Sequence, residues 1–182
     1  MVTTTEYRHQ RVVDALRETE PNVVTYVPSK SIAGIITGLE CKEDHDGTVV
    51  VFPVSREEEA VGIVGALPLA GKFGVVVMQD NGFGNSLTAL TTFAVSYHLP
   101  MLILANTRGG LGEYNSMIHS ISAPVPELLR SANIVVFSLD RRNTPEDWHA
   151  TVAEAGRHSK MTYRPVVVLM DFFDHEDREA LV

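Results

Sequence analysis

Three stretches of this 182-residue sequence combine polar side chains with glycines in a way that can support chemistry. The first is Glu57-Glu58-Glu59, directly ahead of the apolar run AVGIVGALPLA. A carboxylate in the first turn of a helix is favoured by the helix dipole, and Glu58 fits that role through a capping box with Ser55. Glu57 differs: partly buried at the start of such a helix, it would be placed to exchange a hydrogen bond with a ligand.

The second stretch, MQDNGFGN, follows a β-branched run and leads into a helix-like pattern. Gly82 and Gly84 would let backbone N–H groups approach an anion or a flat ring, and Asn85 is a candidate helix cap. The loop is neither a Walker loop, which needs Gly-Lys-Ser/Thr, nor the six-residue dinucleotide fingerprint. The third stretch runs from Asn106 to Ser122 and holds Arg108, Gly109, Gly110, Gly112, Glu113 and His119. Arg108 suits a carboxylate, sulfonate or phosphonate, and His119 can move protons near neutral pH, although a lone loop histidine is more commonly structural.

These stretches need a scaffold, and the hydrophobic pattern supplies one. Apolar runs at 22–27, 48–52, 74–79, 101–106, 133–139 and 165–170 are continuous rather than alternating, as expected of strands covered on both faces. Between them Val12, Val13 and Leu16, and then Ile32, Ile35, Ile36 and Leu39, fall at helical spacing. Thr144-Pro-Glu-Asp147 is a second helix start, with proline at the first helical position. Alternating strands and helices predict a three-layer α/β/α domain over 1–182 with a six-stranded parallel sheet. In such sheets ligands gather beyond the carboxyl ends of the strands, which selects the segments 28–31, 55–59, 80–86 and 107–122.

Composition narrows the function classes. A formal charge of −8 argues against nucleic acid and anionic membrane surfaces as partners. Cys41 is the only cysteine and is expected to be an inert loop residue, so no disulfide framework or thiolate zinc site is available. No signal core or transmembrane run is present, and a soluble, cytoplasmic protein is expected. The acidic tail after Met170 is expected to be loosely attached, with Phe172 and Phe173 pinning its start. By residue chemistry alone the chain is an α/β domain with a polar, glycine-rich edge and no complete catalytic set.

The segments REEEAVGIVGALPLAGK, VVVMQDNGFGNSLTALTTF and LPMLILANTRGG, with the earlier YVPSKS turn, carry a resemblance. Together they resemble the pyrimidine-binding domain of thiamine-diphosphate decarboxylases, in the branch acting on sulfopyruvate and phosphonopyruvate. The resemblance covers nearly the whole chain and implies a six-stranded parallel sheet. It places the family's essential glutamate at Glu57, thirteen residues before Ala70 of LAGK. That glutamate hydrogen-bonds the cofactor's aminopyrimidine ring and promotes the imino tautomer that activates it for decarboxylating a 2-oxo acid.

By the same resemblance Pro28, Gly82, Gly84 and Asn85 contact the cofactor, and Asn85, Arg108 and His119 face the substrate. Asp80 and Asn81 depart from the Asn-Ser common in the family, and the segment 114–129 differs considerably. The family binds the diphosphate and Mg2+ through a Gly-Asp-Gly motif on a second domain, and that motif is absent from this sequence. The resemblance therefore implies a separate beta subunit carrying the diphosphate and metal site, and a hetero-oligomer with the cofactor across the interface. Coenzyme M synthesis and phosphonate metabolism both fit. Two other readings stay open at this stage: a carboligase or a decarboxylase of another 2-oxo acid, and a non-catalytic ligand-binding domain.

Overall fold

The computed structural model describes residues 4–40, 49–110 and 113–172; Cys41, Gly112 and the tail from Phe173 lie outside them. Its strands are β1 (Val23–Tyr26), β2 (Val50–Pro53), β3 (Gly74–Gln79), β4 (Met101–Asn106), β5 (Val135–Leu139) and β6 (Pro165–Met170). They form one six-stranded sheet in the order β2-β1-β3-β4-β6-β5, and every pairing is parallel. The expected sheet is therefore present, with strand bounds shifted by only a residue or two at β1, β2 and β5.

The helices are α1 (Thr4–Glu18), α2 (Ala33–Glu40), α3 (Glu57–Ala66), α4 (Phe83–Ala89), α5 (Ser116–Ser122), α6 (Val125–Ser131) and α7 (Pro145–Thr162). A core lies on each sheet face because successive strand side chains point opposite ways. Val75 and Val77 join the α1, α2 and α7 residues Leu16, Ile35 and Trp148. Val76 and Met78 join Val61, Phe83, Leu90 and Leu129 from the other helices. The predicted apolar face of α1, at Val12, Val13 and Leu16, is buried, as is that of α2.

Burial on both faces holds for β3, β4 and β6, where nearly every residue is buried. It does not hold for β2 and β5, which lie at the sheet edges: Val50 is 56% and Phe137 is 41% exposed. An edge strand has only one neighbouring strand, so helices cover it less completely, and an unbroken apolar run does not reveal that position.

The Thr144 start of α7 is a full capping box. Thr144 Oγ1 accepts from the Asp147 N–H at 3.1 Å, and the Thr144 N–H donates to Asp147 Oδ2 at 2.8 Å. The capping box expected at α3 is not formed, because the helix begins at Glu57 and its N-cap is Arg56, without a side-chain bond. Instead the Ser55 N–H donates to Glu59 Oε2 at 3.2 Å, and Glu58 pairs with Arg56 at 3.0 Å. Glu58's own backbone N–H, and then Arg56, hold that carboxyl below its ordinary range.

Phe172 anchors the last described turn, 5% exposed and packed on Trp148 and His9 at centroid distances of 4.9 and 4.5 Å. No helix among the described residues is long and apolar enough to cross a membrane.

Candidate active site at the carboxyl edge of the sheet

The chain leaves β1 for β2 on one side and then returns to lay β3 on the other side of β1. The resulting crevice between β1 and β3 is a topological switch point, where loops diverge and a ligand can enter. Four segments meet along this edge: the turn after β1, the start of α3, the loop after β3 and the loop after β4.

Close packing brings α3 to the loop after β3. A Cβ at Gly65 of α3 would lie 2.6 Å from a ring carbon of Phe93, which sits in the π-helical turn Leu90–Val95 that continues α4. A Cβ at Gly82 would lie 2.3 Å from Glu57 Cγ and 2.8 Å from Glu57 Oε1. A Cβ at either position would press on a neighbouring side chain, which would have to shift to admit it. Gly82 has φ −62, so its role is close approach and not an unusual backbone conformation. Ser86 Oγ donates to the Gly82 carbonyl at 2.9 Å, fixing the first turn of α4 on this residue.

Glu57 is thereby held half-buried against the Gly82 backbone. Asn85 Nδ2 donates to Glu57 Oε2 at 3.1 Å, and Oε1 has no hydrogen-bond partner among the described residues. Asn85 does not cap α4, because the helix begins at Phe83 after a short 3-10 turn over Asp80–Gly82, which makes Asn85 its third residue. Three residues beyond the actual cap, Gly82, it points its amide across to α3 instead. The arrangement is a carboxylate with one oxygen fixed and one free, in the first turn of α3.

The remaining expected residues are placed less closely. Pro28 is exposed in the turn after β1. That turn is tied to the sheet by Gln79, whose Nε2 lies 2.7 Å from Ser29 Oγ and 3.4 Å from Ser31 Oγ. A Cβ at Gly84 would meet only Ile121 at 3.6 Å, an ordinary contact. Arg108 donates through Nε and Nη2 to Glu113 Oε2 at 2.7 and 2.6 Å, so its guanidinium is already engaged. His119 is exposed on α5 and bonds none of the other candidates through its ring. The 107–122 segment is also partly helical, since α5 occupies its end.

Asp80 is the residue sequence reasoning left unexplained. It is fully buried, and its carboxylate accepts from Ser122 Oγ at 2.6 Å, Thr107 Oγ1 at 2.8 Å and the Arg108 N–H at 3.0 Å. An acid at the very end of a buried apolar strand was the one signal available for it; Ser122 carried none. Among the described residues no group of three or more His, Cys, Asp or Glu side chains could hold a metal ion.

No family model matches the chain. It is 29% identical over 175 residues to the sulfopyruvate decarboxylase alpha subunit of Methanococcus maripaludis, covering 92% of this chain and 97% of that one. The alpha subunit from Methanocaldococcus jannaschii is 26% identical over 160 residues, with 88% and 90% covered. The chain is similar to sulfopyruvate decarboxylase alpha subunits. A longer sulfopyruvate decarboxylase from Methanosarcina acetivorans matches over 128 residues at 26% identity, which is 69% of this chain and 31% of that one.

Solved structures agree on the fold. A 2-oxoglutarate:ferredoxin oxidoreductase from Magnetococcus marinus superposes with a TM-score of 0.66 at 14% identity, covering 94% of this chain and 29% of that one. A split-gene transketolase gives 0.60 at 17% identity, with 93% and 50% covered. The fold is the thiamine-diphosphate-binding one, in the α/β/α form that the alpha-subunit resemblance implies.

Proposed function

We propose that the chain is the alpha subunit of a thiamine-diphosphate-dependent decarboxylase that converts sulfopyruvate to sulfoacetaldehyde and CO2. The observation that carries this reading is the Glu57 carboxylate laid on Gly82, with Asn85 holding one oxygen and the other free. The donor set fits an aminopyrimidine: a free carboxylate oxygen meets a ring nitrogen, and a glycine surface admits a flat ring.

Bound there, thiamine diphosphate supplies the electron sink for loss of CO2 from a 2-oxo acid. Glu57 Oε1 would hold the proton shared with the aminopyrimidine ring of the bound cofactor, and Asn85 keeps the carboxylate from turning away. Gly82 allows the closest approach, with Gly84 and Pro28 lining the same cleft. In the reaction the carbon–carbon bond to the carboxylate breaks, CO2 leaves, and a proton takes its place.

Arg108 meets the terminal sulfonate through the edge of its guanidinium that Glu113 leaves open, since Nη1 has no partner among the described residues. Arg108 is fixed in place before substrate arrives, which lowers the ordering cost of binding. In this reading His119, exposed on α5, faces the substrate and becomes covered in the assembly.

The subunit names of the relatives support a division of labour. With no Gly-Asp-Gly in the sequence, the diphosphate and Mg2+ fall to a beta subunit that closes over the carboxyl edge. The Methanosarcina relative supports the same scheme, because more than two thirds of its longer chain lies outside the match.

The test is reconstitution. Co-expressed with a partner carrying Gly-Asp-Gly, and given thiamine diphosphate and Mg2+, the complex turns over sulfopyruvate in preference to phosphonopyruvate or pyruvate. Neither subunit alone does so. Absence of turnover with every 2-oxo acid, or tight thiamine-diphosphate binding by the isolated chain, overturns the proposal.

A further inference from the structure

Asp80 joins three segments that the sequence separates: the turn after β3, the loop after β4 and the end of α5. Its Oδ2 accepts from both the hydroxyl and the backbone of successive residues, Thr107 and Arg108, at 2.8 and 3.0 Å, while Oδ1 accepts from Ser122 at 2.6 Å. The loop also lies directly on α5. A Cβ at Gly109 would sit 2.5 Å from the Ala123 nitrogen, so backbone touches backbone there.

Further out, Glu113 grips the Arg108 guanidinium at 2.6 Å and accepts the Asn115 N–H at 2.7 Å through its other oxygen. Arg108 is therefore fixed at both ends, by Asp80 at its backbone and by Glu113 at its head. Hydrogen bonds to a buried charged group are stronger than neutral ones and costly to leave unmade, which makes Asp80 the stiffer of the two anchors.

We propose that Asp80 is a positioning residue for substrate selection: it sets the Thr107–Gly110 backbone so that Arg108 meets the terminal anion of the 2-oxo acid. This inference rests on the decarboxylase reading of the cleft. It makes a specific demand on position 80. Asparagine can keep one oxygen on Thr107 and the Arg108 N–H while its amide donates to Ser122 Oγ, which accepts as readily as it donates. Alanine leaves all three donors without a partner.

In the reconstituted complex, Asp80→Ala is expected to raise KM for sulfopyruvate about tenfold or more, with a smaller effect on kcat and none on thiamine-diphosphate binding. Asp80→Asn is expected to restore most of the loss. An unchanged KM in Asp80→Ala, or a defect in Asp80→Asn as large as in Asp80→Ala, overturns the inference. If Asp80→Ala does not fold, Ser122→Ala carries the same test, since it removes the donor to Oδ1 at little cost in volume.

A second readout needs no turnover. Amide hydrogen exchange at Arg108 is expected to accelerate in Asp80→Ala while β3 and β4 stay protected, and unchanged exchange there overturns the inference. Wild-type complex that binds thiamine diphosphate but releases no CO2 would instead count against the decarboxylase reading, leaving the exchange result to decide the role of Asp80.

Discussion

Asn85 Nδ2 stands 3.1 Å from Glu57 Oε2, joining the helix after β3 to the first turn of the helix after β2 across 28 residues of sequence. This bond leaves one carboxylate oxygen free and fixes where it points. Replacing Asn85 with alanine is expected to lower kcat of the reconstituted enzyme about tenfold, the worth of one hydrogen bond to a charged group. Steady-state kinetics with saturating cofactor measure it. Thermal stability should be nearly unchanged, because Glu57 is half-buried and water can replace the amide.

Gly82 tests the same geometry from the opposite side. A Cβ there would meet Glu57 Cγ at 2.3 Å, while the backbone φ of −62 suits alanine. Gly82→Ala is therefore expected to fold and to displace the carboxylate. A displacement of about 1 Å at a reacting group costs on the order of a hundredfold in rate. The check pairs kcat with the melting temperature. A stable variant with normal kcat would mean that the close approach has no part in the reaction.

Much of this architecture was legible in the sequence, and the reasons are physical. The buried strands β3, β4 and β6 announced themselves as unbroken apolar runs, and α1 and α2 through residues spaced three and four apart. The position of Glu57 at a helix start was legible from acids ahead of an apolar run, while its proposed role came from the family resemblance. Other features depend on pairs distant in sequence, which no local pattern records. The Asp80–Ser122 bond spans 42 residues, and the Asn85–Glu57 bond spans 28. The missing capping box at α3 is instead a local competition, since Arg56 takes Glu58 and Ser55 is left to Glu59.

His9 gives the fold a pH dependence. Its ring is packed on Phe172 at 4.5 Å and against Gly34, and its Nε2 lies 3.3 Å from the Ser31 carbonyl, which accepts its proton. Burial holds its pKa below the ordinary 6.5, so the unfolded chain binds the proton more readily than the folded one. Stability from the neutral ring is complete above about pH 6.5 and is lost as pH falls through the lower folded value. Urea midpoints measured from pH 7.5 down to 5 should fall more steeply for the wild type than for His9→Gln.

The Thr144 capping box can be separated from function. Thr144→Ala removes the acceptor for the Asp147 N–H, a change that costs about 1 kcal/mol in comparable helices. For a chain of this size that corresponds to a melting temperature lower by about 2–4 °C. Calorimetry reads the shift. Decarboxylation at 25 °C should be unaffected, because α7 begins after β5, at the far edge of the sheet from Glu57.

The most direct test of the account is Glu57→Gln in the complex with its beta subunit, assayed for CO2 release from sulfopyruvate with saturating thiamine diphosphate and Mg2+. Glutamine keeps the size and the contact with Asn85 but cannot share a proton as a carboxylate does. The account predicts a rate lower by about a hundredfold or more, the scale of general acid–base catalysis, with the complex still assembled. Decarboxylation at the wild-type rate would contradict it.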